Sequence, residues 1–420
     1  MSTFIFDSYD YNKKTGLASF HYSFDDGRSF TETIELKTAK AYDTEAFDRA
    51  LFLSFVLLGA SYYKTFPTTA VTFQSGTIDA WQADFFSKVY QEGLSQYAYE
   101  NELTRHDLAT FTQTGDSIKA VDYSGTGIVA LQSGGKDSLL IAALLAEKAI
   151  DFTPWYLTTS DHHPAVLDEL GHQLITARRT IDHDALKKAS AEGAKNGHVP
   201  VTYMVQSIAL LQAILMGKGQ VLVAIANEGQ EPHAFINDLP VMHQWSKTWQ
   251  AEQQFQEYVN RYISADLFVG SPLRRLSEVR VAELFIQHAW KKFGHQFSSC
   301  NRANYLQGAN NSELHWCGEC PKCANSYLLF APFLAADDLK ALFAGQDLFE
   351  KPLLTQTFKG LLAIDDVMKP FECVGETDEL RWAYHQAIKN GGYGQLPFAV
   401  PESSFDYMAE YPAQDWARLF

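Results

Sequence analysis

Two short stretches hold residue types whose spacing suits chemistry. The first is Val129 to Leu139, VALQSGGKDSL. Gly134 and Gly135 leave the backbone unobstructed and open to angles closed to other residues. Successive N–H groups there, with the free donors of a following helix, make an anion site that the helix dipole reinforces. Ser133 and Ser138 add hydroxyls and Lys136 a mobile positive charge, so the group suits a phosphate chain. Asp137 is out of place in a bare anion site, and a Mg²⁺ shared between its carboxylate and phosphate oxygens accounts for it. The Walker spacing is absent, because its first glycine and four-residue spacer are missing. The plain alternative is a strand-to-helix turn with no ligand, but α/β sheets place ligands at such strand ends.

The second stretch is Cys300-x16-Cys317-x2-Cys320-x2-Cys323, which holds four of the five cysteines. Short C-x-x-C spacings let one knuckle of chain supply several thiolates to a tetrahedral ion, so a structural Zn²⁺ is expected. An iron–sulfur cluster and a redox pair are the alternatives. Glu228 follows the apolar run VLVAIAN and would bind Mg²⁺ or act as a base, while Arg274 or Arg275 in GSPLRRLSE would bind a carboxylate or phosphate. Solvated loop charges explain these three equally well. Histidines 162, 163, 233, 243, 295 and 315 are scattered. His162 and His163 follow the strand WYLTT, near where a nucleotide base or ribose would lie, and none is singled out for proton transfer.

The elements that must position these groups follow from periodicity. Residues 3 to 36 alternate aromatic and polar positions between turn signals, predicting a small antiparallel meander. Apolar residues at helical spacing from Asp43 to about Leu108 predict a helical layer rich in core aromatics. Beyond the linker-like TQTGDSIKAVDYSG, strands and helices alternate: GIVALQ, helix 136–148, DFTPWYLTT, a helix around 164–174, ITARRTI, helices 184–192 and 202–216, QVLVAIANE, a long polar helix 244–262, and ADLFVGS. The expected fold is α/β, a parallel sheet with helices on both faces, preceded by the meander and helical layer. Boundaries are expected at 1–118, 119–330 and 331–420, the last mixed and helical.

Composition narrows the function classes. The formal charge of −16 and the lack of a basic block argue against nucleic-acid binding. No window approaches the ~18 apolar residues of a membrane span, and the first residues lack a signal-peptide core. A cytoplasmic protein without a membrane or nucleic-acid partner is expected.

SGGKDS resembles the pyrophosphate loop of the ATP pyrophosphatase group, which cleaves ATP between its α and β phosphates. With FDSYDYNKKTGLASFHYSFDDG, SYYKTFP, EGLSQYAYEN, GSPLRRLSE and CGECPKC in order, the whole chain resembles the bacterial UDP-N-acetylmuramoyl-L-alanyl-L-glutamate epimerase family. The resemblance implies an adenine nucleotide alpha hydrolase-like sheet and an ATP- and Mg²⁺-dependent inversion of the terminal L-glutamate of UDP-MurNAc-L-Ala-L-Glu, releasing AMP and pyrophosphate. It implies that Ser133, Gly134, Gly135, Lys136, Asp137 and Ser138 hold the nucleotide, with Lys136 and Asp137 acting in catalysis. Glu228, His163 and Cys300 are the candidate bases, and Cys300 drops out if zinc holds it. The N-terminal meander and helical layer are left, by elimination, to recognise the UDP-sugar. A ligase of the 7-cyano-7-deazaguanine synthase type and a non-catalytic ATP-binding regulator are the competing readings.

Overall fold

The computed structural model describes residues 2–306 and 312–417. Its centre is a nine-stranded sheet in the order β11-β8-β5-β6-β7-β3-β2-β1-β4. The strands are β1 (Thr3–Asn12), β2 (Leu17–Phe24), β3 (Ser29–Glu35), β4 (Ala70–Phe73), β5 (Ile128–Leu131), β6 (Phe152–Thr158), β7 (Ile175–Thr180), β8 (Gln220–Leu222) and β11 (Phe268–Gly270), while β9 (Ala234–Ile236) and β10 (Leu239–Val241) pair as a separate hairpin. The five strands from β11 to β7 are parallel, as the alternating pattern predicts.

The meander is not set apart from this sheet. β3 runs antiparallel to β7 with Thr33 opposite Thr180 and Glu35 opposite Arg178, so strands on both sides of residue 118 belong to one sheet. A buried ion pair closes the seam: Arg179 Nε donates to Glu32 Oε1 at 2.6 Å, and its Nη2 reaches Ser61 Oγ at 2.9 Å.

Helices cover both faces. On one, the helix Thr44–Tyr63 starts where Asp43 accepts from Glu45 and Ala46 N–H groups. It buries nearly its whole length because Phe, Leu and Val occupy every side of it. The phenols Tyr22 and Tyr90 are buried against it yet donate to the carbonyls of Phe55 and Val56 at 2.8 and 2.7 Å, so the aromatic core leaves neither hydroxyl unpaired. The opposite face carries the helices Lys136–Glu147, Glu278–His288 and Pro321–Phe330 in a second core.

Three local expectations differ from the structure. Residues 165–170 form a short 3₁₀ segment ended by Gly171 in a left-handed conformation, not a longer helix. The region 244–262 divides into 3₁₀, α and π segments. β8 stops at Leu222, and the run beyond it is stitched to the next segment by single bonds, Val223 N to Gly270 O at 3.0 Å and Asn227 N to Leu276 O at 2.8 Å. Among the described residues no helix is long and apolar enough to cross a membrane.

Candidate active site

The chain leaves β5 toward β6 and β7 on one side, then returns to lay β8 and β11 on the other. The strand order therefore reverses at β5, and the crevice beyond the carboxyl ends of β5 and β8 is where such sheets bind ligands. SGGKDS leaves β5 there, and Asn227–Glu228 follow the run beyond β8.

Gly134 takes φ +76°, a conformation that strains any residue with a side chain, and a Cβ on it would also have to push Leu314 Cδ1 aside from 2.5 Å. Gly135 caps the helix Lys136–Glu147 without a side-chain bond, which leaves the first-turn amides free for an anion. Within the loop, Ser138 Oγ bonds the Ser133 amide at 3.2 Å and the Gly135 carbonyl at 3.2 Å. This cradle fits a chain of phosphates: it combines free amides, two hydroxyls and one ammonium with no bulk at its centre.

Lys136 is buried and its Nζ is shared between Asp137 Oδ1 at 2.7 Å and Glu278 Oε2 at 3.3 Å. Burial disfavours its charge, but the two carboxylates more than offset this and raise its pKa. Glu278 opens a second helix pointing at the same place. Burial pushes its carboxyl up, Lys136 draws it down, and nearby Glu228 pushes it up again, with a net rise.

Glu228, also buried, accepts from Gln244 Nε2 at 2.5 Å and Lys247 Nζ at 3.1 Å. Burial opposes its ionisation, but Lys247, Lys322 and Lys136 win and hold it at about 2. Its turn is tight because Gly229, at φ +77°, brings backbone to within van der Waals reach of Gln244, where a Cβ would meet the Gln244 carbonyl oxygen at 2.9 Å. Behind this group Glu379 accepts from Val279 N at 3.1 Å, and burial first, then Glu278, lifts it to about 8.

Lys136 bonds Asp137 and lies near enough to Glu228 to act on its charge. The structure adds Lys247, Gln244 and Glu278, none of which the motif reading selected. Ser277–Glu278 could have been noticed as a helix start, since Ser277 caps the Arg280 amide. Arg274 is not available to a ligand: it is fully buried, bonded to Glu252 at 2.9 Å and to the carbonyls of Ala226 and Lys247 at 2.8 Å, where it ties the end of the β8 run to residue 247. Arg275 faces Glu410 at 3.5 Å. His162 and His163 line a cavity of about 380 Å³ beyond β6 and β7 with Thr158, Ser160 and Arg178, and His163 bonds Asp168 at 2.8 Å.

Cys300, Cys317, Cys320 and Cys323 converge, with Sγ–Sγ distances of 3.6 Å (300 to 320), 3.7 Å (317 to 323) and 3.6 Å (320 to 323). Thiolates about 2.3 Å from a tetrahedral zinc ion stand about 3.8 Å apart. The donor set therefore fits that ion, and the separations are far beyond a disulfide. Amides of Ala303 and Gly318 point at two of the sulfurs, at 3.4 and 3.3 Å. The same segment leans on the phosphate loop: Ser298 N bonds Gly134 O at 3.3 Å and Tyr305 Oη donates to Ser133 O at 3.3 Å.

Known proteins share the sequence of this chain over most of its length. Residues 1–269 match the MurL N-terminal domain and residues 296–400 the MurL C-terminal domain. The UDP-N-acetyl-alpha-D-muramoyl-L-alanyl-L-glutamate epimerase of Xanthomonas oryzae pv. oryzae is 34% identical over 91% of this chain and 85% of its own length. Enzymes of the same name from Salinispora tropica and a Micromonospora species are 31% and 32% identical over 96% and 97% of this chain, and 90% and 93% of theirs. With both halves matched and the likeness running nearly end to end, the chain belongs to the MurL family.

Proposed function

We propose that this protein is an ATP-dependent epimerase that inverts the terminal L-glutamate of UDP-MurNAc-L-Ala-L-Glu to D-glutamate, supplying a peptidoglycan precursor. The observation that carries this reading is the phosphate cradle of Ser133 to Ser138 opening on the same crevice as the buried Glu228–Lys247 and Lys136–Glu278 pairs.

The chemistry explains why ATP is needed. A Cα proton beside an ionised carboxylate is scarcely acidic, because its loss would put a second negative charge on the same atoms. The glutamate α-carboxylate attacks the α-phosphorus of ATP, pyrophosphate departs, and the acyl-adenylate so formed carries an electron-withdrawing carbonyl. The Cα proton can then be removed and returned on the other face, and hydrolysis releases AMP. Lys136 and the loop amides stabilise charge on the departing pyrophosphate. Asp137 would hold a Mg²⁺, which supplies charge neutralisation on the phosphate oxygens. The four thiolates would hold a structural Zn²⁺, with no position left open for chemistry.

The test is one incubation of the pure protein with ATP, Mg²⁺ and UDP-MurNAc-L-Ala-L-Glu, scored for AMP and, after acid hydrolysis, for D-glutamate. Both products are expected. AMP without inversion would favour a ligase, and the absence of both would remove the epimerase reading.

A further inference from the structure

Epimerisation needs a base for the Cα proton, and the residues expected from the sequence are poorly placed to be it. Cys300 stands in the four-thiol cluster, and His163 is tied to Asp168 away from the β8 side of the crevice. Glu228 is already engaged, its Oε2 accepting from both Gln244 and Lys247.

His243 is different. Gln96, in the helix Ser95–Glu100, donates its Nε2 to Glu100 Oε1 at 2.8 Å, which turns its own Oε1 toward His243 Nδ1 at 2.7 Å. An amide oxygen only accepts, so Nδ1 must carry the ring proton and Nε2 the lone pair. Gln96 occupies Nδ1, which leaves Nε2 as the basic nitrogen of the ring. The His198 ring packs on the same imidazole with centroids 4.4 Å apart and fixes its plane. Burial first, then Lys247 and Lys322, outweigh the opposing pull of Glu372 and Glu100 and bring His243 to about 4, so the ring is neutral at pH 7. Lys247, which bonds Glu228, lies near enough to act on the charge of His243, so the imidazole stands beside that pair.

We propose that His243 is one of the two proton-transfer groups of the inversion, receiving the Cα proton on Nε2, an assignment that rests on the adenylation reading above. The Cα–H bond breaks, an N–H bond forms, and the electron pair passes into the adjacent acyl carbonyl. A second group then protonates the opposite face of the same carbon, so the configuration inverts and nothing is oxidised or reduced. Gln96 and Glu100 are positioning residues that set the tautomer and face the imidazolium with partial and full negative charge.

The full chain is incubated in D₂O with ATP, Mg²⁺ and the dipeptide substrate, and read for AMP and for deuterium at the glutamate Cα. The wild type is expected to give both. His243→Gln is expected to incorporate deuterium at least ~100-fold more slowly while still forming AMP. Deuteration at the wild-type rate in that variant overturns the proposal. Loss of AMP together with deuterium also overturns it, because the ring would then serve folding or adenylation. Deuterium without AMP in the wild type would sink the adenylation reading alone and still report on His243, whereas neither product would overturn both. Gln96→Leu frees the ring and is expected to lower kcat with KM unchanged; an unaltered kcat removes Gln96 and Glu100 from the assignment.

Discussion

Glu32 and Arg179 at the β3–β7 seam, and Lys136, Glu278, Glu228 and Lys247 at the reversal of strand order, are all withdrawn from water, but the two regions handle charge differently. At the seam one guanidinium meets one carboxylate, Ser61 takes a remaining donor, and the neutral Tyr62 hydroxyl also reaches Glu32, so one charge answers one charge. In the crevice one ammonium serves two carboxylates, Glu278 is raised, and Glu379 behind it reaches about 8. A closed pair holds a fold, whereas buried charges that pull against one another are common where proteins take up charged ligands.

The comparison breaks most sharply at the seam. Arg179→Met leaves Glu32 buried without a partner and is expected to cost about 3–5 kcal/mol in a urea titration, most of it recovered in Arg179→Met with Glu32→Leu. Lys136→Ala is expected to act mainly on the reaction, lowering AMP formation roughly 10²–10³-fold at a smaller cost in stability, because the already raised Glu278 takes up a proton when its partner is lost. If that variant lost stability as Arg179→Met does, the distinction between the regions would fail.

A smaller effect depends on pH. Glu379 is raised above its ordinary value to about 8, so the stability it contributes is complete below about 4.5, declines as pH rises, and is gone above about 8. Glu379→Gln should match the wild type at pH 4 and be more stable by roughly 5 kcal/mol at pH 9, read from thermal unfolding at each pH. The smallest effect is expected one residue from the largest. Arg178 pairs with Glu35 and Asp161 at the exposed side of the same seam, and Arg178→Ala should leave the midpoint almost unmoved.

What could be read from the sequence was what lies close along the chain. SGGKDS needs only β5 before it and a helix after it, and CGECPKC shapes its own knuckle, so both were legible from a few residues. The crevice was not, because Lys136 and Glu278 are 142 residues apart and meet only after the sheet has formed. Lys247 lies in an aromatic stretch, and His243 was one of several dispersed histidines whose partner, Gln96, comes from the N-terminal helices. The β9–β10 hairpin was missed because its strands have three residues each, although the Asn237–Asp238 pair between them, with Asn237 at φ +52°, is a turn signal. The joining of meander and parallel strands was illegible for the same reason as the crevice: no local pattern announces which strand will lie beside β7.

That junction also decides how the chain avoids sticking to itself. If residues 1–118 were removed, β7 would end the sheet as a bare row of backbone donors and acceptors, with Thr176 and Thr180 facing outward and no charge other than Arg178 on that side to discourage an approaching strand. Edges of that kind recruit further chains and lead to polymers. The first three strands are therefore a stopper for the sheet, and a shortened protein would be expected to precipitate before it could be assayed.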